Sequence, residues 1–84
     1  MGWFTNYEVE FDEFVDWDDN IVKHRLEPFN VQHMYLRDLE RPRVILCIYS
    51  QHNTIEEMLT VLKNLYPVTM RYQIYNTGKW IKFT

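Results

Sequence analysis

The sequence predicts an α+β fold: a ferredoxin-like (split βαβ) two-layer sandwich with the order βαββαβ plus a C-terminal β strand. Three observations predict it. Segments with two-residue alternation lie near both ends, a continuous apolar run lies in the middle, and two stretches with helical periodicity end at prolines. The length of 84 residues predicts a single domain over residues 1–84.

The first strand is predicted over residues 3–11, WFTNYEVEF. Trp3, Tyr7 and Phe11 fall on one face of this alternation, and Glu8 and Glu10 fall on the other. Alternation with aromatic and β-branched residues is typical of a strand.

The first helix is predicted over residues 12–27. Phe14, Trp17 and Ile21 are spaced as on one helical face, and Pro28 closes the segment. Acids fill the first half and bases fill the last turns, an order that complements the helix dipole.

The middle of the chain predicts two strands. Residues 29–39 alternate, and residues 44–50, VILCIYS, form the apolar run of a central strand. This run has no polar face, so a two-layer fold would leave one apolar face uncovered. We therefore expect a homodimer through the sheet, or a partner docked there.

The last third predicts a helix, a strand, a turn and a strand. Residues 53–67 carry an apolar stripe behind a capping-box pattern at Asn53 or Thr54, and Pro67 ends them. Residues 68–75 alternate, residues 76–78 form a turn at Gly78, and residues 79–84 add a strand beside the fourth.

The composition predicts a cytoplasmic, soluble protein. A lone Cys47 cannot form an internal disulfide, which indicates a reducing compartment. The sequence has no bilayer-length apolar run and no signal-peptide pattern, so we expect no membrane association.

Motifs for enzymes, metals and cofactors are missing from the sequence. His24, His33, Cys47 and His52 contain no close ligand pair of the kind that zinc sites use. The acidic DWDDN lacks the glycine of a calcium loop, and no GxSxG, HExxH or phosphate-loop pattern is present. We expect no catalytic residue, no metal and no cofactor.

The acidic N-terminal stretch supports the leading functional hypothesis. Residues 1–22 carry seven acids and no Lys or Arg, whereas residues 23–84 carry nine bases and five acids. Seven acids exceed what a helix dipole stabilises, so we expect a non-enzymatic protein–protein interaction module (an inhibitor, adaptor or assembly subunit) that meets a basic partner surface. Its aromatic-rich composition without catalytic motifs fits a phage or mobile-element protein. The predicted partner-binding residues are Glu8, Glu10, Asp12, Glu13, Asp16, Asp18 and Asp19.

Nucleic-acid binding is the alternative hypothesis. Sheet aromatics beside bases can stack single-stranded RNA or DNA. The net charge of −3 opposes a polyanionic ligand, since affinity for nucleic acid comes largely from Lys and Arg contacts to phosphate. The residues of this alternative are Arg71, Tyr72, Tyr75, Lys79, Trp80 and Lys82.

Overall fold

The computed structural model describes residues 4–37, 45–51 and 53–83. It has an α+β fold in which one sheet of five antiparallel strands carries two α-helices, so the predicted class is confirmed. The predicted ends at Trp3, Val44 and Thr84 and the candidate ligand His52 lie outside the described residues. The elements are β1 (Phe4–Phe11), α1 (Asp19–Arg25), β2 (His33–Arg37), β3 (Ile45–Gln51), α2 (Ile55–Leu65), β4 (Met70–Ile74) and β5 (Ile81–Phe83).

The sheet has the strand order β2-β3-β1-β4-β5. β1 lies at its centre, where Tyr7 pairs with Ile48 of β3 on one side and with Ile74 of β4 on the other. β5 extends the edge beside β4, as the sequence predicts. The N-terminal strand therefore depends on two strands that come much later in the chain.

The hydrophobic core lies between the helices and one face of the sheet. Alternate residues of the central strand, Tyr7, Val9 and Phe11, are buried on this face, as the two-residue alternation predicts. Val22 of α1 and Leu62 of α2 are among the helical residues that complete the core. Neither described helix covers the opposite face of the sheet, which we call the open face.

The predicted helix over residues 12–27 is wrong in its first half, because α1 begins only at Asp19. Two residues of the predicted apolar face are not buried, since Phe14 is 71% exposed and Ile21 is 47% exposed, whereas Trp17 packs against the core. Residues 12–18 instead run along the surface, anchored by the buried Val15. The helical spacing of acids and aromatics did not reveal that tertiary contacts hold this segment in an irregular conformation.

Further element boundaries also differ from the prediction. β2 starts at His33 rather than at residue 29, because a 3-10 turn at Glu27–Phe29 precedes it and Asn30 adopts a left-handed conformation with φ 55°. α2 starts at Ile55, and the expected capping box does not form. The Thr54 hydroxyl donates instead to the Gln51 carbonyl at 2.6 Å. Within the described part of the chain, neither helix is long and apolar enough to cross a bilayer.

Candidate interaction surfaces

Residues 12–19, which we call the acidic segment, follow the end of β1 and are fixed to the helix side of the molecule. The Asp12 amide donates to the Thr69 carbonyl at 2.9 Å. The Trp17 ring stacks on the Tyr66 ring with centroids 5.6 Å apart and planes 15° apart. The Tyr66 hydroxyl also accepts a hydrogen bond from the Asp18 amide at 2.8 Å. This irregular segment therefore has a defined path.

All five carboxylates of the acidic segment are exposed, but they are not equivalent. Asp18 caps α1 by accepting from the Ile21 amide at 3.1 Å. Asp19 pairs with Lys23 at 2.8 Å, and the hydrogen bond from Lys23 lowers the pKa of the Asp19 carboxyl. Asp12, Glu13 and Asp16 have no ion-pair partner among the described residues.

Phe14 lies in the middle of these three carboxylates. Its exposed fraction is the highest among the large hydrophobic side chains of the described residues. The predicted helix over residues 12–27 has Phe14 on its apolar face, so the exposure of Phe14 was not predicted from the sequence. The only available signal was its position between two acids, Glu13 and Asp16, which a buried face would disfavour.

Glu8 and Glu10 lie apart from the acidic segment, on the open face of β1, and both are buried. Glu8 pairs with Arg37 of β2 and accepts from the Gln73 amide nitrogen at 2.6 Å. Glu10 pairs with Arg71 of β4. These two predicted partner-binding residues thus bind basic or amide side chains of their own chain.

Folding therefore cancels part of the charge asymmetry of the sequence. Cations from residues 23–84 neutralise Glu8, Glu10 and Asp19 of the acidic residues 1–22. The negative surface that remains is narrower than the sequence predicts, and it is centred on Asp12, Glu13 and Asp16.

Aromatic side chains form a row and a cavity on the open face. Phe4, Tyr49 and His33 follow one another across three strands, with ring centroids 5.5 Å and 5.9 Å apart. Beside this row lies a cavity of about 170 Å³. We call it the tyrosine cup, and its main lining side chains are Asn6, His33, Tyr35, Arg37, Cys47, Tyr49 and Tyr75.

The predicted uncovered face of the third strand is less apolar than expected. Ile45, Cys47 and Tyr49 of β3 alternate onto the open face, but the Glu8–Arg37 pair borders them. Cys47 is buried and lies directly across from Tyr35. A hydrogen bond with the Cys47 thiol raises the pKa of the Tyr35 hydroxyl above its ordinary value.

The residues of the nucleic-acid alternative are divided between two faces. The Arg71 guanidinium lies 4.9 Å from the centre of the Trp80 ring, and Lys82 lines the same surface hollow. Lys79 and Tyr75 are exposed. Tyr72 points to the opposite, helix-covered side, where it is buried and its hydroxyl donates to Glu56 at 3.5 Å. Tyr72 therefore cannot stack a base together with Trp80.

Among the described residues, no three His, Cys, Asp or Glu side chains converge to hold a metal ion. The candidate ligands His24 and Cys47 lie apart: His24 is exposed on α1 near Glu27, at 3.7 Å, and Cys47 is buried in β3. The chain matches no protein-family model, and comparisons with curated proteins and with solved structures gave no significant match.

Proposed function

We propose that the chain is a non-enzymatic protein–protein interaction module, which acts as an inhibitor, adaptor or assembly subunit through its acidic segment. It would work in the cytoplasm, and its composition fits a phage or mobile-element protein. Its architecture would be a ferredoxin-like variant. The two α-helices between strands and the central position of β1 support this assignment, while β5 and the 3-10 turn are additions to the pattern.

One observation carries the proposal: Phe14 is 71% exposed on a segment with a fixed path, and its sequence neighbours Asp12, Glu13 and Asp16 have no ion-pair partner among the described residues. Protein interfaces are often dominated by a few central aromatic residues inside a polar rim. Because Trp17, Val15 and Asp18 already hold the segment, little conformational entropy would be lost on binding.

The charge of the segment supports a basic protein surface as the partner. Asp12, Glu13 and Asp16 would repel phosphate groups, whereas Arg and Lys side chains would be attracted at short range. The complementary site would thus combine a pocket for one aromatic ring with a rim of cations. A protein surface that normally holds nucleic acid would provide such a rim of cations.

The test is an affinity capture of partners from the native host's lysate, with and without nuclease, identified by mass spectrometry. We expect the same protein at fixed stoichiometry in both samples. Phe14→Ala, and Asp12→Asn combined with Glu13→Gln and Asp16→Asn, should each lower its recovery at least about tenfold, the equivalent of 1.4 kcal/mol.

Ile21→Ala is the matched control, because Ile21 is also an exposed hydrophobic residue but lies on α1. Equal recovery with the control and with both acidic-segment variants would refute the proposed surface.

Nucleic-acid binding stays the second candidate because Arg71, Trp80 and Lys82 lie together at one edge of the open face. It predicts that single-stranded oligonucleotides quench tryptophan fluorescence, that Trp80→Phe removes this change, and that affinity falls steeply with salt. Recovery of a partner that vanishes after nuclease treatment would favour this candidate over the first.

A further inference from the structure

The tyrosine cup has the size of a single aromatic ring. Its volume of about 170 Å³ is close to the roughly 150 Å³ of an apolar protein cavity that binds benzene. The cup exists because the small Cys47 side chain lies between larger neighbours on β2 and β3. Tyr35 and Tyr75 line it and are 58% and 56% exposed, so both rings are accessible to an incoming group.

The charges around the cup favour an aromatic ring that is flanked by acids. Among the described residues, Arg37 is the one Lys or Arg that lines the cup, and no described carboxylate lines it. The carboxylate of Glu8 lies beneath Arg37 but is buried. A single guanidinium that is already paired with Glu8 is a poor site for a phosphate backbone, whose binding needs several cations. It is sufficient to orient one or two carboxylates beside a ring, together with tyrosine hydroxyl donors.

The acidic segment offers a group of this kind. Phe14 is exposed, and its sequence neighbours include the unpaired Glu13 and Asp16. Aromatic rings that meet at offset or edge-to-face angles attract each other beyond simple burial, and the cup presents the rings of Tyr35, Tyr49 and Tyr75 from the open face.

Phe14 cannot reach the cup of its own molecule. The cup adjoins Asn6, whereas Phe14 follows the other end of β1, beyond Phe11. The five residue steps along β1 from Asn6 to Phe11 span roughly 17 Å. In addition, the acidic segment is anchored on the helix side through Val15 and Trp17, whereas the cup opens on the opposite face of the sheet.

We propose that the tyrosine cup binds the Phe14 ring of a second copy of this chain, with Glu13 and Asp16 of that copy facing Arg37 and the tyrosine hydroxyls. The contact joins two different surfaces, so it is head-to-tail, and each copy can both give and receive a ring. The inference rests on the proposed function, because it assigns a competing occupant to the same Phe14 surface. Self-association would therefore cover the surface that the partner needs.

The test compares the masses of the purified protein and its variants by light scattering and sedimentation velocity over a range of concentrations. We expect the mass of the unaltered protein to rise above the 10.4 kDa of one chain as concentration increases. Phe14→Ala and the double variant Tyr35→Ala/Tyr75→Ala should each stay monomeric. Ile21→Ala should associate like the unaltered protein. The replaced tyrosines are exposed, so circular dichroism should show an unchanged fold.

Mixing the two monomeric variants gives the most specific result. The Phe14→Ala protein keeps its cup, and the tyrosine variant keeps its ring, so the mixture should form a 1:1 dimer and nothing larger. The proposal is overturned if the unaltered protein stays monomeric up to about 1 mM. It is also overturned if Phe14→Ala associates as strongly as Ile21→Ala, or if the two variants do not combine.

The outcomes separate this inference from the proposed function. A captured partner that depends on Phe14, together with a monomeric purified protein, would refute the cup and leave the proposed function intact. Association through the cup without a captured partner would support the cup and refute the proposed function.

Discussion

At the scale of single residues, the structure separates acids that stabilise the fold from acids that are free to interact. Glu8 and Glu10 are buried and paired on the sheet, Asp18 caps a helix, and Asp12 and Asp16 face solvent without a partner among the described residues. Their sequence neighbourhood is uniformly acidic, so sequence alone could not distinguish these roles. The arginines that decide the matter lie on later strands. Arg37 follows its partner Glu8 by 29 residues, and Arg71 follows its partner Glu10 by 61 residues.

One buried hydroxyl supports a prediction at this scale. Ser50 is fully buried on the core side of β3, and its hydroxyl has no hydrogen-bond partner within the described residues. Ser50→Ala should leave the free energy of unfolding unchanged or raise it by up to about 1 kcal/mol, because an unsatisfied polar group is removed. Urea denaturation followed by circular dichroism measures this change.

Thr54→Ala is the control for Ser50→Ala. The Thr54 hydroxyl donates to the Gln51 carbonyl at 2.6 Å, so its loss should lower the free energy of unfolding by about 1 kcal/mol. If Ser50→Ala destabilises the protein as much as Thr54→Ala does, the Ser50 hydroxyl has a partner in solution.

At the scale of secondary-structure elements, strands were predicted better than helix ends. The alternation of residues 3–11 and 68–75 identified β1 and β4, because a sheet with one covered face imposes a two-residue period. The predicted helix over residues 12–27 was shortened to Asp19–Arg25. The stacking of Trp17 on Tyr66, a contact between distant parts of the chain, holds the preceding residues outside the helix. The spacing of apolar residues along the sequence cannot predict such a contact.

The N-terminus of α1 supports a prediction at this scale. Asp18→Ala should lower the free energy of unfolding by about 1 kcal/mol, because the Ile21 amide loses its side-chain acceptor. Asp18→Asn should retain most of the stability, since asparagine is an equally good cap. Chemical denaturation of both variants measures the difference. Asp16→Asn is the control, because Asp16 is an exposed acid that does not cap α1. Equal losses in Asp18→Ala and Asp18→Asn would show that charge, rather than the cap, stabilises α1.

At the scale of the whole molecule, the sheet brings the two halves of the sequence together. The α+β class and the neighbouring positions of β4 and β5 were predictable, since they follow from the order of elements and a short turn. The tyrosine cup was not predictable, because its lining residues come from β1, β2, β3 and the residue that follows β4. The sequence identifies the aromatic residues Tyr35, Tyr49 and Tyr75. Whether they converge depends on the register in which their strands pair.

Unfolding of the whole molecule at alkaline pH tests whether the Tyr72 hydroxyl is buried. Burial, and then the neighbouring Glu56 carboxylate, raise the pKa of the Tyr72 hydroxyl above its ordinary value of 10.0. Below about pH 10 the hydroxyl is protonated in both folded and unfolded chains, so stability is unaffected. As pH rises further, the unfolded chain ionises first, and the folded state loses stability.

Tyr72→Phe should therefore unfold at a higher pH than the unaltered protein while its stability near pH 7 changes little. Circular dichroism during an alkaline titration gives the midpoint. Tyr75→Phe is the control, because Tyr75 is exposed and should leave the midpoint in place. A midpoint that is the same for Tyr72→Phe and for the unaltered protein would contradict the buried position of the hydroxyl.

The central position of β1 has a consequence for how the protein is made. β1 is synthesised before both of its neighbours, β3 and β4, so it must wait for these later strands before it can pair. During that time it is an aromatic, β-prone segment with two open edges, which is the kind of segment that aggregates. Glu8 and Glu10 place negative charge at alternate positions of the waiting strand, as gatekeeper residues do. After folding, the same two carboxylates fix the register, because a slip by one residue would turn them into the hydrophobic core.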